Sequence, residues 1–161
     1  MKNKVLISML NEHYGDVIED YVLKQPWLPG TEFIVFSVVE PPPLYQVPAD
    51  YWAYALEEEF KKRQDFLNKI AAEIQSAVPN CTAVGRIEQG SAVDTILRMA
   101  SELDCDLVIM GCHSHKGLQR FLLGSVSSQV AANCSCSTLI IRGKQPAAAL
   151  ESGEKSRSAK S

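Results

Sequence analysis

The sequence predicts an α/β fold: a single doubly wound domain in which helices cover both faces of a five-stranded parallel sheet. Short apolar runs alternate along the chain with longer segments of helical periodicity. The run from Leu107 to Met110 is wholly apolar, as expected of a strand that is buried on both faces. A length of 161 residues, 46% of them hydrophobic, suits one domain with one core.

The first part of the chain predicts a strand, a helix and a second strand. Lys4 to Met9 and Thr31 to Val39 are apolar runs rich in β-branched residues, which is typical of strands. Between them, Tyr14 to Lys24 carries apolar residues at helical spacing, and Pro26 follows to end that helix. Pro41 to Pro43 then forbids continued strand, because proline lacks the N–H that a strand ladder needs.

The middle of the chain predicts a long helix, a third strand and the start of a third helix. From Asp50 to about Val78, apolar residues form one stripe and charged residues lie largely off it, which indicates an amphipathic helix with a solvated face. Thr82 to Glu88 predicts a strand. Ser91 and Asp94 have the spacing of a capping box, so we expect a helix to begin there. The stripe consists of Leu56, Phe60, Leu67, Ile70, Ile74 and Val78.

The last part predicts a strand over Leu107 to Met110, a loop that Gly111 opens, a helix from Ser125 to about Asn133, and a final strand from Thr138 to Arg142. Strands that alternate with helices predict right-handed crossovers between parallel strands. In such a sheet a ligand binds at the carboxyl ends of the strands, where the direction of winding reverses.

Composition excludes several classes of function. The net charge of −3 and pI near 5.6 lack the basic field that nucleic-acid binders usually carry. No apolar run approaches the roughly 18 residues that span a bilayer, and charge interrupts the N-terminal segment early, so we expect a cytoplasmic protein with no membrane partner. Residues 144–161 are small and polar and are predicted to be disordered, which leaves a domain over residues 1–143.

Neither a metal site nor a catalytic site is predicted. Five cysteines are an odd number, which argues against a disulfide framework, and Cys134 with Cys136 lacks a second pair at zinc-site spacing. His113 and His115 have no evident third ligand beside them. The chain contains neither G-x-S-x-G nor H-E-x-x-H, so no motif makes it an enzyme.

The loop after the fourth predicted strand has the composition of a phosphate site. It reads GCHSHKGLQRFLLGS and contains neither a P-loop nor a G-x-G-x-x-G motif. Glycine lets backbone N–H groups approach an anion closely, and the helix that follows Gly124 adds further N–H groups and the positive end of its dipole. A phosphate site and an ordinary strand-to-helix loop are the two interpretations of this segment.

The spacing Gly111-x-x-Ser114, nine residues, then Gly124-Ser125 resembles the nucleotide motif G-x-x-G-x9-G-[ST] of the universal stress protein family. The resemblance extends over the block LVIMGCHSHKGLQRFLLGSVSSQVAANCSCSTLII and covers about residues 2 to 143. It implies a Rossmann-like sheet of the adenine nucleotide alpha hydrolase-like type and a homodimer through the last strand. In one branch of the family it also implies a bound adenine nucleotide, ATP or AMP.

The resemblance places phosphates on the loop backbone and a nucleoside beside two strand ends. Two departures predict that such binding is weak. Leu10 stands where ATP-binding members carry an aspartate, and Ser114 stands where the second motif glycine belongs. His113, His115, Lys116 and Arg120 either supplement the phosphate contacts or are ordinary exposed loop residues. The implied binding residues are Val38, Met110, Gly111, Ser114, Gly124, Ser125 and Val126.

Three functional interpretations follow. The first is a non-catalytic, dimeric stress-response module that binds or regulates an unidentified protein partner and holds an adenine nucleotide weakly, with no cofactor required. The second is an ATP-binding universal stress protein that hydrolyses ATP slowly. The third is a structural dimerisation scaffold, which would follow if Leu10 and Ser114 close the site.

Overall fold

The structure, a computed structural model, describes residues 3–9, 15–40, 49–112 and 124–142. Strands and helices alternate through these residues, and each lies within two residues of its predicted bounds. The strands are β1 (Lys4–Ser8), β2 (Glu32–Val39), β3 (Thr82–Gln89), β4 (Leu107–Cys112) and β5 (Ser137–Arg142). The helices are α1 (Gly15–Leu23), α2 (Ala49–Ala77), α3 (Ala92–Glu102) and α4 (Ser125–Asn133).

The five strands form one sheet in the order β3-β2-β1-β4-β5, and every neighbouring pair is parallel. From the central β1 the chain builds outward through β2 to β3. It then crosses the sheet through α3 to β4 and continues outward to β5. The predicted doubly wound parallel sheet is therefore confirmed, and its winding reverses between β1 and β4.

Helices cover both faces of the sheet. The first hydrophobic cluster joins α1 and α2 to one face, which we call the α1/α2 face, and the second joins α3 and α4 to the other, the α3/α4 face. Alternation along each strand divides its side chains between the two faces. On α2 the predicted stripe is buried at Leu67, Ile70, Ile74 and Val78. Most of the charged residues of this helix are exposed, as the amphipathic pattern predicts.

Strand β4 runs two residues further than predicted. Gly111 pairs with Ile141, and Cys112 pairs with Arg142. The prediction that Gly111 opens a loop is therefore wrong, because the neighbouring strand β5 continues to Arg142 and keeps the β4 backbone paired.

The capping box predicted at the start of α3 is also wrong. Ser91 is the N-cap residue but makes no side-chain cap hydrogen bond. The backbone N–H of Ala92 instead donates to Oε1 of Glu40 at 3.1 Å. A carboxylate from the end of β2 thus takes the place of the local cap and also meets the positive end of the helix dipole.

Several predicted features lie outside the described residues: Leu10, Pro41 to Pro43, and the tail over 144–161. Within the ranges that the structure describes, none of the helices combines the length and the apolar composition needed to cross a membrane.

Candidate functional site

The central strand stops before both of its neighbours at the carboxyl edge of the sheet. Ser8 ends β1, paired with Phe36 of β2 on one side and with Met110 of β4 on the other. Strand β2 continues to Val39 and β4 continues to Cys112. The ends of β2 and β4 therefore extend past Ser8, and Met9 still donates its N–H to the carbonyl oxygen of Phe36 at 2.7 Å. We call the edge of the sheet between these two strand ends the β1 notch. This β1 notch lies at the point where the winding reverses, which is where open α/β sheets bind ligands.

The structure brings three of the predicted binding residues together beside the notch. Val38 and Met110 belong to the cluster on the α3/α4 face, and Val126 of α4 packs against that cluster. Val38 is 6% exposed and Met110 is 0% exposed, so both side chains are covered. A ligand that touches Met110 must therefore displace the groups that cover it.

The N-terminus of α4 follows β4 in the chain and has no side-chain cap. Its N-cap residue is Gly124, with φ −59° and ψ 159°. The carbonyl oxygen of Gly124 accepts the N–H of Ser128 at 2.9 Å and the hydroxyl of Ser127 at 3.1 Å. The N–H groups of Ser125 and Val126 belong to the first turn, where no intrahelical acceptor exists, and the dipole of α4 is positive there. This turn suits an anion.

The first turns of the two helices on the α3/α4 face are capped differently. The first turn of α3 receives the carboxylate of Glu40 on the N–H of Ala92. The first turn of α4 begins at a glycine, which has no side chain to offer. A carboxylate of the protein thus caps the first turn of α3. The backbone N–H groups of Ser125 and Val126 in α4 receive no side-chain cap from Gly124 and suit a bound anion.

A polar group that sequence reasoning missed lies at the floor of the notch. Ser8 is 0% exposed, and among the described residues its Oγ is the one buried side-chain oxygen or nitrogen without a hydrogen-bond partner. Leaving such a group unpaired costs about 1–3 kcal/mol. The signal in the sequence was a single serine inside the apolar run KVLISM.

The other predicted site residues fall in two groups. Gly111 lies within β4, one residue beyond Met110. Ser114, with His113, His115, Lys116 and Arg120 of the same loop, lies outside the described residues. The structure therefore brings Val38, Met110, Gly111 and the first turn of α4 to one edge of the sheet.

Three cysteines lie away from the notch, whereas Cys112 ends β4 at the carboxyl edge of the sheet. Cys105 precedes β4, and Cys134 and Cys136 precede β5, so all three are at the amino edge of the sheet. The sulfurs of Cys134 and Cys136 are 3.5 Å apart. Burial raises the pKa of Cys105 to about 11, and burial together with the neighbouring Cys134 raises the pKa of Cys136 to about 12. These two thiols are therefore protonated at neutral pH.

In the part of the chain that the structure describes, no group of three or more His, Cys, Asp or Glu side chains could hold a metal ion.

Comparison with known families matches residues 17–142 to the universal stress protein family. Universal stress protein Sll1388 of Synechocystis is 34% identical over 87 residues, 54% of this chain and 55% of that protein. Universal stress protein MJ0531 of Methanocaldococcus jannaschii is 28% identical over 115 residues, 69% of this chain and 65% of that protein. The chain thus spans less than two thirds of these two relatives. A universal stress protein of Methanothermobacter thermautotrophicus is 25% identical, with 88% and 97% coverage.

Solved structures share the fold. The protein MJ0577 superposes with a TM-score of 0.74 at 20% identity, covering 91% of this chain and 99% of its own. A universal stress protein in complex with cAMP gives a TM-score of 0.61 at 19% identity, with 86% and 96% coverage. A universal stress protein family member from Arabidopsis thaliana with AMP bound gives 0.59 at 16% identity, with 92% and 98% coverage.

Proposed function

The chain belongs to the universal stress protein family, and from that premise we propose that it is a non-catalytic, dimeric binding module whose β1 notch takes an adenine nucleotide weakly. Two solved structures of the same fold hold AMP and cAMP, which supports an adenine nucleotide as the ligand. Weak binding is proposed because Leu10 and Ser114 depart from the nucleotide motif.

The observation that carries this proposal is the first turn of α4 beside the notch. The N–H groups of Ser125 and Val126 have no acceptor within the helix, and Gly124 has no side chain that would occupy them. Because α4 packs through Val126 on the cluster that contains Val38 and Met110, a phosphate on this turn leaves the rest of the nucleotide near the notch.

Replacing Gly124 tests the phosphate site directly. The backbone of Gly124 has negative φ, and among the described residues a Cβ there would meet Ser127 Oγ at an ordinary contact distance of 3.5 Å. Gly124→Asp should therefore fold and place a carboxylate on the donors, as Glu40 does at α3. We expect it to weaken AMP binding at least tenfold in an NMR titration, by occupying the donors and by repelling phosphate.

The matched control is Gly124→Ala, which adds the same Cβ without a charge and should bind AMP within about threefold of the wild type, a difference under 1 kcal/mol. If Gly124→Asp and the wild type bind AMP with equal affinity, the first turn of α4 is not part of the phosphate site.

The proposed weakness is tested at the two departures from the motif. Isothermal titration of ATP should give a dissociation constant well above micromolar for the wild type. The double variant Leu10→Asp, Ser114→Gly should bind at least tenfold tighter, a gain of about 1.4 kcal/mol. Submicromolar binding by the wild type, or nucleotide retained through purification, would favour the alternative of an ATP-binding member that hydrolyses ATP slowly.

The remaining parts of the proposal are a dimer through β5, a regulatory protein partner and a cytoplasmic location. Strand β5 is an edge of the sheet, and its side chains from Thr138 to Ile141 are half-buried in the single chain. The free thiols of Cys81, Cys105, Cys134 and Cys136 fit a reducing compartment.

A further inference from the structure

We propose that Cys134 and Cys136 form a thiol redox site, which exchanges with low-molecular-weight disulfides and reversibly closes an intramolecular disulfide bond. The sulfurs of the two residues are 3.5 Å apart and in contact. The pair lies at the amino edge of the sheet, whereas the β1 notch lies at the carboxyl edge. Its chemistry is therefore independent of the nucleotide binding proposed above.

The fold fixes the chain on both sides of this pair. Cys134 is the C-cap residue of α4, and its N–H donates to the carbonyl oxygen of Val130 at 2.8 Å. Cys136 is followed directly by β5, whose first residue, Ser137, pairs with Leu107 of β4. Three residues connect the helix to the strand. The sulfurs thus meet in a short connection that is anchored at both ends, and only a short approach separates them from a covalent bond.

Both thiols are partly accessible to a dissolved reactant. Cys134 and Cys136 are half-buried against the cluster on the α3/α4 face, and Ser135 between them is exposed. Cys105 belongs to the same cluster but is only 7% exposed, so a reactant reaches the pair before it reaches Cys105. Exposed disulfides are more easily reduced than buried structural ones. The pair therefore suits a reversible reaction and not a permanent cross-link.

The reaction is a two-electron exchange in two steps. In the first step, the thiolate of Cys134 attacks one sulfur of a disulfide RSSR; the S–S bond of RSSR breaks, and the leaving RS⁻ takes up the proton that Cys134 released. In the second step, Cys136 gives up its proton and attacks the sulfur of Cys134, and the bond from that sulfur to the second RS group breaks. The two cysteines are thereby oxidised, and RSSR is reduced to two RSH.

The contact between the two thiols assigns the order of these steps. Burial, together with the hydrogen bond to Cys134, raises the pKa of Cys136 to about 12, which fits Cys136 as the donor in the contact between the sulfurs. A hydrogen bond accepted by a thiol favours its ionised form. Cys134 is therefore the nucleophile of the first step, and Cys136 resolves the mixed disulfide.

The experiment equilibrates the full chain with mixtures of reduced and oxidised glutathione at pH 8, blocks the remaining thiols and maps tryptic peptides by mass spectrometry. Trypsin releases residues 121–142 as one peptide whose only cysteines are Cys134 and Cys136, so an internal disulfide appears as the loss of two hydrogens. We expect this disulfide to form in the wild type and to disappear when dithiothreitol is added. The ratio of oxidised to squared reduced glutathione at half-oxidation should be at least tenfold lower for the folded protein than for the protein unfolded in urea.

Single variants test the order of the steps. Cys136→Ser should stop at the mixed disulfide of Cys134 with glutathione, whereas Cys134→Ser should form the mixed disulfide on Cys136 at least tenfold more slowly. The matched control is Cys81→Ser. Cys81 is also half-buried, but its thiol donates to the carbonyl oxygen of Ile74 at 3.7 Å and not to a second thiol. This variant should close the internal disulfide as the wild type does.

Three outcomes would refute the redox site: a peptide 121–142 that stays a dithiol in oxidised glutathione alone, equal half-oxidation ratios for the folded and unfolded protein, or Cys136 joined to Cys105 in place of Cys134. Equal rates of mixed-disulfide formation in Cys134→Ser and Cys136→Ser would overturn the order of the steps. AMP titrations of the same reduced protein report separately on the proposed function.

Discussion

The carboxylate of Glu40 accepts a hydrogen bond from the backbone N–H of Ala92 at 3.1 Å, across 52 positions of sequence. This contact ties the end of β2 to the start of α3, at the same edge of the sheet as the β1 notch. It satisfies one of the backbone donors that a helix leaves unpaired in its first turn, and it places negative charge at the positive end of the α3 dipole. Glu40, and not Ser91, is therefore the side-chain cap of α3.

Two alanine variants separate this cap from the local one that the sequence suggested. Glu40→Ala should lower the free energy of unfolding by about 0.5–2 kcal/mol, as the loss of a helix cap does. Ser91→Ala should change it by less than about 0.5 kcal/mol, because the Ser91 side chain makes no cap hydrogen bond. Urea denaturation followed by circular dichroism measures both changes. A larger loss of stability for Ser91→Ala than for Glu40→Ala would show that Ser91, and not Glu40, caps α3.

The same contact illustrates what the sequence could and could not predict. Strand and helix positions follow from local patterns of apolar residues, and these predicted β1, α4 and the other elements within two residues. The cap from Glu40 depends on two elements that meet only in the folded chain. The Ser8 hydroxyl lacks a hydrogen-bond partner among the described residues, and this also depends on its neighbours Phe36 and Met110, which lie on other strands. Contacts between residues that are distant in sequence leave no local pattern from which they could be predicted.

Close packing of α2 on β3 makes Gly85 sensitive to substitution. A Cβ at Gly85 would lie 2.8 Å from the backbone carbon of Leu67 and 2.9 Å from the backbone nitrogen of Asn68. Because these are backbone atoms, the helix has to move away, and we expect Gly85→Ala to destabilise the protein by about 1–3 kcal/mol. Gly124→Ala is the control, since its nearest contact would be 3.5 Å. Equal melting temperatures of the two variants would contradict this packing.

Two carboxyl groups meet between α1 and α2. Burial, together with the hydrogen bond and the charge of Glu73, raises the pKa of Glu19 from 4.5 to about 7. Lys69 acts in the opposite direction and lies 3.8 Å from Glu73. The folded protein therefore holds a proton on Glu19 at pH values where the unfolded chain has released it.

The sign of the pH dependence follows from this difference. Below about pH 4.5 both states are protonated, and the contribution of Glu19 to stability is fully present. As the pH rises from 4.5 to about 7, only the unfolded chain loses its proton, so the free energy of unfolding falls; above 7 this contribution is lost. The pair is partly exposed, so solvent screening keeps the effect modest.

Glu19→Gln should remove this pH dependence, because the amide keeps a neutral hydrogen-bonding group beside Glu73 at every pH. We expect the variant to melt at a higher temperature than the wild type at pH 8, and the gap to shrink toward pH 4.5. The control is Glu57→Gln, an exposed position on α2, which should follow the wild type. If the difference in melting temperature between Glu19→Gln and the wild type stays constant from pH 4.5 to 8, the raised pKa of Glu19 in the folded protein is contradicted.

The tail is proposed to contribute little to folding. Residues 145–161 lie outside the described residues, and Leu150 is the one large apolar side chain in this segment of the sequence. Because so little surface is available to bury, removing residues 145–161 should shift the melting temperature by less than about 4 °C, the change that about 1 kcal/mol produces in a domain of this size. A larger decrease on truncation, measured by scanning calorimetry, would indicate that the tail packs on the domain.

The last prediction concerns the two edge strands, which differ in how their apolar side chains are placed. On β5, Leu139 and Ile141 pack against the cluster of the α1/α2 face, and Ile140 packs against that of the α3/α4 face; all three are half-buried. On β3, at the opposite edge, Val84 is 51% exposed. An apolar edge strand invites pairing with a second chain, and lysine is the residue that most often prevents it.

Ile140→Lys should therefore convert the proposed dimer to a monomer in sedimentation velocity, whereas Val84→Lys, the same change at the other edge, should leave the proposed dimer intact. Because Ile140 also packs against the cluster of the α3/α4 face, circular dichroism is recorded for both variants, so that loss of the dimer is scored only for folded protein. A folded Ile140→Lys variant that remains dimeric would exclude β5 as the interface. Dissociation of the Val84→Lys variant alone would move the interface to β3.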